Sequence, residues 1–237
     1  MAMKKMSKYI FSLLLLFPAI SLFAQKAEWN GISVGTDLSR FVVPFIDSTR
    51  YGWEFSGDYE IIKNLFLVAE IGSGTTNLNT SKYNYSLTGG YTRLGVDYNY
   101  MKNIDPTSKD QMLIGLRYGF TRFKHQATNI TITDDVWGDF TGGKIGPNWL
   151  TASWFEVSTG MRARLFNNFY LGWSLRMRVR VGMTNDTKMF PYSIPGYGRA
   201  WNGTWLGINY SLYYKIPVYK KKKTPTESLP VENGKAP

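Results

Sequence analysis

The chain has 237 residues, of which 43% are hydrophobic and 16% aromatic, and its formal net charge is +11. It contains no cysteine, which excludes disulfide bonds and thiolate metal sites. With His125 as the single histidine and no phosphate-binding or nucleophile-elbow motif, the sequence offers little support for a metalloenzyme or a hydrolase.

Residues 1–24 predict a secretory signal peptide. Lys4, Lys5 and Lys8 precede the apolar run YIFSLLLLFPAISLF, which is too short for an ordinary membrane span. Ala24, in the sequence LFAQ, is the expected last residue before cleavage. We therefore expect an exported protein, and we do not interpret its basic charge as nucleic-acid binding.

After residue 30, apolar side chains recur at every second position, which is typical of half-buried β-strands. Each alternating segment has about the 9–11 residues that a tilted strand needs to cross a bilayer. An even number of such strands is typical of bacterial outer-membrane barrels. The eight segments are 31–38, 51–60, 65–74, 91–100, 112–120, 154–165, 172–183 and 206–216.

The connectors between these segments alternate in length. Short turns on one side and long loops on the other are typical of periplasmic turns and extracellular loops. This pattern predicts an outer-membrane location with both termini in the periplasm. The short connectors are 61–64, 103–110 and 165–168, and the long ones are 43–50, 75–90, 122–150 and 183–201.

One face of each predicted strand is apolar or aromatic, whereas the other carries charge and glycine. An eight-stranded barrel is just wide enough for side chains to fill it, and arginine can bond two carboxylates at once. We therefore predict an all-β fold, an eight-stranded antiparallel transmembrane β-barrel with a side-chain-filled charged lumen. The predicted charge network comprises Asp37, Glu54, Asp58, Glu70, Arg93, Asp97, Arg117, Glu156, Arg162, Arg164, Arg176, Arg178 and Arg180.

A soluble barrel of the lipocalin type remains an alternative, because alternation alone does not say which face is inside. That fold would enclose the apolar side chains and expose the charges. The membrane barrel is favoured because aromatic residues lie near the strand ends and because the charged faces hold almost no lysine. In this interpretation, lipid of the outer membrane contacts the apolar faces.

Two functions other than a structural one stay open. His125, with Asp134 and Asp135 in the same predicted loop, could form a lipid-modifying site at the rim, although we favour an exposed residue at the base of the loop. A narrow channel is the other alternative, and the crowded lumen argues against it. The favoured interpretation is a non-enzymatic protein with no catalytic residue, metal or cofactor.

The long loops are rich in aromatic residues and glycine, as protein contact surfaces are. Such loops could bind protein partners in an outer-membrane complex, or they could fold over the barrel mouth as a lid. The candidate contact residues are Trp137, Phe140, Trp149, Phe190, Tyr192 and Tyr197.

The segment 220–237, KKKKTPTESLPVENGKAP, has no apolar period and predicts a disordered, basic, proline-containing periplasmic tail. The expected organisation is thus a signal peptide at 1–24, an outer-membrane barrel at 25–219 and the tail.

The sequence also resembles a family of small outer-membrane barrels from the Bacteroidota. The resemblance lies in LFAQ, NNFYLGWSLRMRV, IPGYGRAWNGTWLGINYSLYYKIP and the lysine-rich tail. It implies a structural role as an accessory barrel subunit of the outer-membrane protein assembly (BAM) machinery. The tail departs from the common barrel pattern, in which the chain ends on an aromatic residue.

Overall fold

The computed structural model describes residues 31–101, 108–132, 140–184, 186 and 189–217. The predicted signal peptide, the predicted tail and Trp137 lie outside these residues. In the described part of the chain, no helix has the length and hydrophobicity needed to span a membrane.

Eight antiparallel strands close into a barrel, which confirms the predicted fold class. Around the barrel the order is β1-β2-β3-β4-β5-β6-β7-β10, with β10 returning to β1. A helix, α1, follows β1, and the short strands β8 and β9 pair with each other after β7. The elements are β1 (Ile32–Asp37), α1 (Ser39–Ile46), β2 (Arg50–Ile62), β3 (Leu65–Asn79), β4 (Asn84–Asn99), β5 (Gln111–Ile132), β6 (Phe140–Phe166), β7 (Phe169–Met183), β8 (Ser193–Ile194), β9 (Gly198–Arg199) and β10 (Thr204–Lys215).

Two tight hairpins mark one end of the barrel, here called the turn end. Two residues join β2 to β3 and two join β6 to β7, and each pair contains an asparagine with positive φ, Asn64 at 68° and Asn167 at 42°. Asparagine tolerates this left-handed conformation better than most residues, which suits it to short hairpins. The start of β1 and the end of β10 lie at this same end, as the antiparallel topology requires.

At the opposite end, the segment 189–203 folds over the barrel mouth and is here called the lid. Its residues Ile194, Tyr197 and Ala200 are buried in one apolar cluster. They pack with strand residues that face inward at this end, including Trp154 and Phe123. Of the two alternatives for this loop, a lid is what the structure shows.

Strands β4, β5 and β6 are much longer than predicted. They include most of the segment 122–150 and part of 75–90, both of which the sequence analysis assigned to loops. The paired strands β5 and β6 extend as a hairpin beyond the rest of the barrel wall. The loop assignment was wrong because the direction of the apolar side chains reverses along these strands, as β5 shows.

In the half of β5 nearer the turn end, Leu116 and Tyr118 point outward and are about half exposed, whereas Arg117 is buried. Nearer the lid, Phe123 is fully buried and Lys124 is exposed. The register of β5 with β4 continues unbroken through this region, so a bulge does not cause the reversal. The same outer wall is therefore apolar in one half and polar in the other.

Strand β1 is too short to close the wall over its full height. It pairs with β2 only as far as Thr36, opposite Phe55, although β2 continues to Arg50. On the other side, its pairing with β10 stops at Asp37. Nearer the lid, β2 and β10 consequently lack a strand between them.

Helix α1 occupies this gap in the wall. Its outward side carries Phe45 and Ile46, which are 80% and 83% exposed, and its inward side carries Arg40 and Val43, which line a cavity under the lid. A helix about 10 Å across has the width of the missing strand plus its two hydrogen-bonding gaps. The pattern of the sequence predicts a connector here and no helix.

Candidate functional site

The centre of the barrel is a buried cluster of arginines and carboxylates. Arg93, which is fully inaccessible, approaches three acids from three different strands. Its guanidinium lies 2.6 Å from Glu54, 3.1 Å from Glu70 and 3.2 Å from Glu156. Because one planar guanidinium presents five donors, it can serve several carboxylates at once.

Arg176 links opposite sides of this cluster. It extends from β7 to Glu70 on β3 with two hydrogen bonds of 2.8 and 3.1 Å, one from each terminal nitrogen. Its Nη1 also lies 3.2 Å from Glu156 and 3.6 Å from Glu54. The cluster therefore ties together strands that share no backbone hydrogen bonds.

A second layer of pairs lies closer to the turn end. Arg117 donates to Asp97 at 2.7 Å, and Arg162 donates to Asp58 at 2.7 Å across the barrel. The guanidinium of Arg162 also lies 4.0 Å from the centre of the Tyr213 ring, a cation–π contact. These contacts fill the cross-section below the central cluster.

Arg178 connects the cluster to the lid. Its Nε donates to Glu156 at 2.7 Å, and its Nη1 donates to the backbone carbonyl of Tyr197 at 3.1 Å. Nearby, Arg180 donates to the carbonyl of Ala200. The charged interior thus holds the lid by its backbone.

The structure brings together almost all of the predicted network residues. All of them are buried except Arg164 and Arg180, which are half-buried near the two ends of the barrel. The backbone N–H of Arg164 donates to Asp110 at 2.9 Å. Arg164 thus lies at the rim of the turn end rather than in the central cluster.

Three further residues complete the network and were missed in the sequence. Arg40 of α1 donates to Glu54 at 3.0 Å, and the Tyr91 hydroxyl donates to the same carboxylate at 2.6 Å. Asn209 donates to Asp37. With Arg40 included, six arginines face six acids, so the interior is close to electroneutral. The arginines are Arg40, Arg93, Arg117, Arg162, Arg176 and Arg178, and the acids are Asp37, Glu54, Asp58, Glu70, Asp97 and Glu156.

Tyr197 anchors the lid rather than presenting a contact surface. It is 1% exposed and packs edge-on against Trp154, with ring centres 5.8 Å apart. Its hydroxyl donates to the carbonyl of Asn202 at 2.8 Å, and burial raises the pKa of that hydroxyl. The prediction of Tyr197 as a partner-contact residue was wrong because the lid turns it inward.

His125 lies under the base of the lid. It is 2% exposed, and its Nε2 lies 2.9 Å from a carboxylate oxygen of Asp186, to which Asn148 also donates at 2.7 Å. Its Nδ1 lies 3.3 Å from the hydroxyl of Tyr85. The expectation of an exposed loop-base residue was wrong, because β5 continues past His125 and the ring packs inward against Tyr85 and Asp186.

The other contact candidates are more accessible. Phe140 and Trp149 on β6 are each 57% exposed, and Phe190 at the start of the lid is about half exposed. Tyr192 is half-buried, with the Arg199 guanidinium 4.4 Å from its ring centre. Phe140, Trp149 and Phe190 thus remain as candidates for a contact surface.

Among the described residues, no group of His, Asp and Glu side chains is arranged to hold a metal ion. A cavity of about 180 Å³ lies between the lid and α1 and is lined in part by Arg40, Arg178 and Trp205. Both arginines of this lining already form ion pairs, Arg40 with Glu54 and Arg178 with Glu156.

Three solved structures are similar to the chain. Neisserial surface protein A (NspA) has 12% identity and a TM-score of 0.41, over 78% of this chain and 94% of that one. The N-terminal β-barrel domain of Pseudomonas aeruginosa OprF has 11% identity and a TM-score of 0.36, over 79% and 98%. Acinetobacter baumannii CarO2 has 10% identity and a TM-score of 0.35, over 78% and 97%.

No curated protein matches the sequence at a significant level. The profile of one protein family, in contrast, matches residues 6–221, which is most of the chain. The chain belongs to the family described as Domain of unknown function (DUF6048).

Proposed function

We propose that this chain is an integral outer-membrane β-barrel that acts by contact, as a structural or accessory subunit of a larger membrane complex. In this proposal the turn end, where β1 starts and β10 ends, faces the periplasm, and the lid faces the outside. Both chain termini are then proposed to lie in the periplasm. Short turns at one end and long extensions at the other support this orientation.

The observation that carries the proposal is the reversal of the apolar face along β5. The side chains of β5 that point out of the barrel are apolar from Met112 to Phe120. This stretch has about the length that a tilted strand needs to cross a bilayer. Beyond Phe120, the outer wall becomes polar and Phe123 turns into the core. A barrel in water would enclose apolar side chains along its whole height, whereas a barrel in a membrane needs this reversal where lipid gives way to water.

The interior argues against a channel. Arg93 and Glu156 are inaccessible, and Arg176 is 2% exposed, so side chains fill the cross-section at the level of the central cluster. An eight-stranded barrel has no space to spare beyond that filling. The lid adds a second closure at the mouth.

The surroundings of His125 argue against a rim enzyme. A general base must reach the proton that it removes from a substrate. Both ring nitrogens of His125 lie within hydrogen-bonding distance of Asp186 or Tyr85, and the side chain is 2% exposed. The contacts fit a structural tie between β5 and the base of the lid.

With the interior filled, the remaining surfaces for function are the outer wall, the lid and the β5–β6 hairpin. We propose that the partner surface includes Phe140, Trp149 and Phe190, large side chains that stay exposed at the lid end. As the larger complex we propose the outer-membrane protein assembly machinery. The support for that choice is the resemblance in the closing segment and the tail.

The test is site-specific photo-crosslinking in the bacterium that produces the protein. A photoreactive amino acid would replace Phe140, Trp149 or Phe190, and the control would replace Lys63 in the turn at the opposite end. We expect discrete crosslinks to outer-membrane proteins at the lid end, identified by mass spectrometry after gentle detergent extraction. Fractionation of the chain with soluble periplasmic proteins would refute the membrane placement, and an absence of crosslinks at all three positions would refute the partner surface.

A further inference from the structure

We propose that the outer wall of the barrel carries a binding groove for the phosphate of a lipid headgroup in the outer leaflet, formed around Arg122 and Lys124. This inference rests on the proposed membrane placement. It adds a defined lipid contact to the outer wall, next to Trp149, which the proposed function also includes in the partner surface.

The sequence of β5 indicates where the groove lies relative to the membrane surface. The outward side chains of β5 are apolar from Met112 to Phe120, and the next two outward residues are Arg122 and Lys124. Neighbouring strands change at the same place, because the register puts Gly90 of β4 beside Arg122 and puts Thr88 beside Lys124. The two basic side chains therefore lie where hydrocarbon ends and headgroups begin.

The shape of the wall suits a headgroup. A groove of about 490 Å³ opens here between β3 and β6, with Gly89 and Gly90 among its lining residues. Gly90 points outward over open space, since a Cβ placed there would lie 3.7 Å from its nearest neighbour, the carbonyl oxygen of Gly72. Trp149, 57% exposed, forms one wall.

The chemistry is that of an anion site. The guanidinium carbon of Arg122 lies 4.9 Å from the centre of the Trp149 ring, which positions the arginine through its face. Its N–H groups lie in the guanidinium plane and remain able to donate to a phosphate. Lys124 lies directly opposite Trp149 in the strand register and adds a second charge.

In the described part of the chain, no acid competes for these charges. The groove lining holds no carboxylate, and among the described residues no Asp or Glu lies within ion-pair distance of Arg122 or Lys124. This contrasts with the barrel interior, where carboxylates surround the arginines. Basic residues at a membrane surface attract anionic lipid, and tryptophan favours the same interfacial depth.

The experiment measures lipid retention by native mass spectrometry. The full mature chain would be folded into mixed micelles containing equal amounts of dilauroyl phosphatidic acid and dilauroyl phosphatidylcholine. We expect the unmodified protein to retain phosphatidic acid preferentially. The double variant Arg122→Gln/Lys124→Gln should lose that preference by about thirtyfold, since each basic residue near the surface contributes about fivefold.

Two further variants separate a groove from general attraction by charge. Lys63→Gln/Lys144→Gln removes the same charge at exposed positions outside the groove and should retain the lipid. Gly90→Leu fills the groove while keeping both basic residues, and it should weaken retention as strongly as the double variant. Equal retention by all variants, or equal loss in the Lys63/Lys144 control, would overturn the proposal.

The outcomes also distinguish this inference from the proposed function. A barrel that folds into the micelles, shown by a heat-sensitive shift in electrophoretic mobility, but shows no preference for phosphatidic acid contradicts only the groove. A chain that does not fold in micelles or vesicles contradicts the membrane placement and the groove with it.

Discussion

Arg176 on β7 bonds both carboxylate oxygens of Glu70 on β3, across the full width of the barrel. Strands β3 and β7 are separated by three strands on either side of the ring, so no backbone hydrogen bond joins them. A bidentate pair at such a position fixes the distance between opposite walls. It also places two charges where desolvation is costly unless each has a partner.

We predict that Arg176→Met will destabilise the barrel by about 3–5 kcal/mol, because it leaves the carboxylates of the cluster one cation short in a buried site. Urea titration in lipid vesicles, followed by tryptophan fluorescence, measures the free energy of unfolding. The double variant Arg176→Met/Glu70→Leu restores the charge balance and should recover a large part of the loss.

The matched control is Arg164→Met, at the half-buried rim of the turn end, where the cost should stay near or below about 1 kcal/mol. If the Arg176 single variant and the double variant prove equally unstable, charge balance does not govern the stability of the interior.

The packing of Trp154 under the lid leads to a second prediction. Its indole lies directly against Gly119 on the neighbouring strand, where a Cβ would overlap the ring. Gly119→Ala should therefore prevent normal closure of the barrel, seen as loss of the heat-sensitive electrophoretic band. Gly119→Ala/Trp154→Leu should restore that band, because the smaller side chain vacates the space. Gly90→Ala, with an open surrounding, serves as the tolerated control.

A third prediction concerns the base of the lid. His125→Ala removes one of the hydrogen-bonding partners of Asp186, and losing a hydrogen bond to a charged group costs about 1.5–3 kcal/mol. We expect the lid to open while the barrel stays folded, so that trypsin cleaves after Arg199 faster than in the unmodified protein. Lys144→Ala, in the projecting hairpin, is the control. Equal cleavage rates in the two variants would show that His125 does not hold the lid.

The fourth prediction tests whether α1 faces lipid. Phe45 is 80% exposed on the outward side of the helix, beside the half of β2 that lacks β1. Phe45→Lys should reduce the stability of the folded barrel in vesicles by about 2 kcal/mol, the scale for a basic residue on a lipid-facing wall. Ser48→Lys, exposed in the connector after the helix, should have little effect. A Phe45→Lys variant as stable as the Ser48→Lys control would place α1 outside the bilayer.

Much of the fold could be predicted from alternation alone. Met177 and Arg178 illustrate why, since adjacent side chains on a strand must point to opposite faces and these two differ sharply in polarity. The structure places Met177 at 43% exposure and Arg178 at 5%. Lipid outside the barrel suits Met177, and paired carboxylates inside it suit Arg178. Few folds other than a membrane barrel offer both surroundings to the two faces of one strand.

The ends of β4–β6 were harder to predict, because alternation continues there with its direction reversed. Residues 120 and 123 are both apolar but point to opposite faces of β5. A prediction that requires all apolar residues of a strand to share one face therefore ends the strand between them. The burial of His125 could not be predicted for a related reason. It depends in part on Asp186, which precedes the lid and lies some sixty residues further along the chain.

Helix α1 and its Arg40 carried almost no local signal. The residue before the helix is Leu38, which provides no side-chain cap, and Pro44 lies inside the helix. Its eight residues are too few for a helical period to be distinguished from a buried strand. What makes a helix fit there is the early end of β1, a tertiary feature.

That early end gives the cylinder an uneven stiffness around its circumference. Where β1 is present, a continuous ladder of backbone bonds resists any spreading of the wall. On the lid side of Asp37, no ladder of backbone bonds links β2 and β10 through a strand. A short helix lies between them there, held to β10 by one backbone bond from Leu38 to Tyr210 and to β2 by the Arg40–Glu54 ion pair. Thermal fluctuations that change the width of the barrel should therefore be largest between β2 and β10 at the lid end. The strands around the rest of the circumference should move little relative to one another.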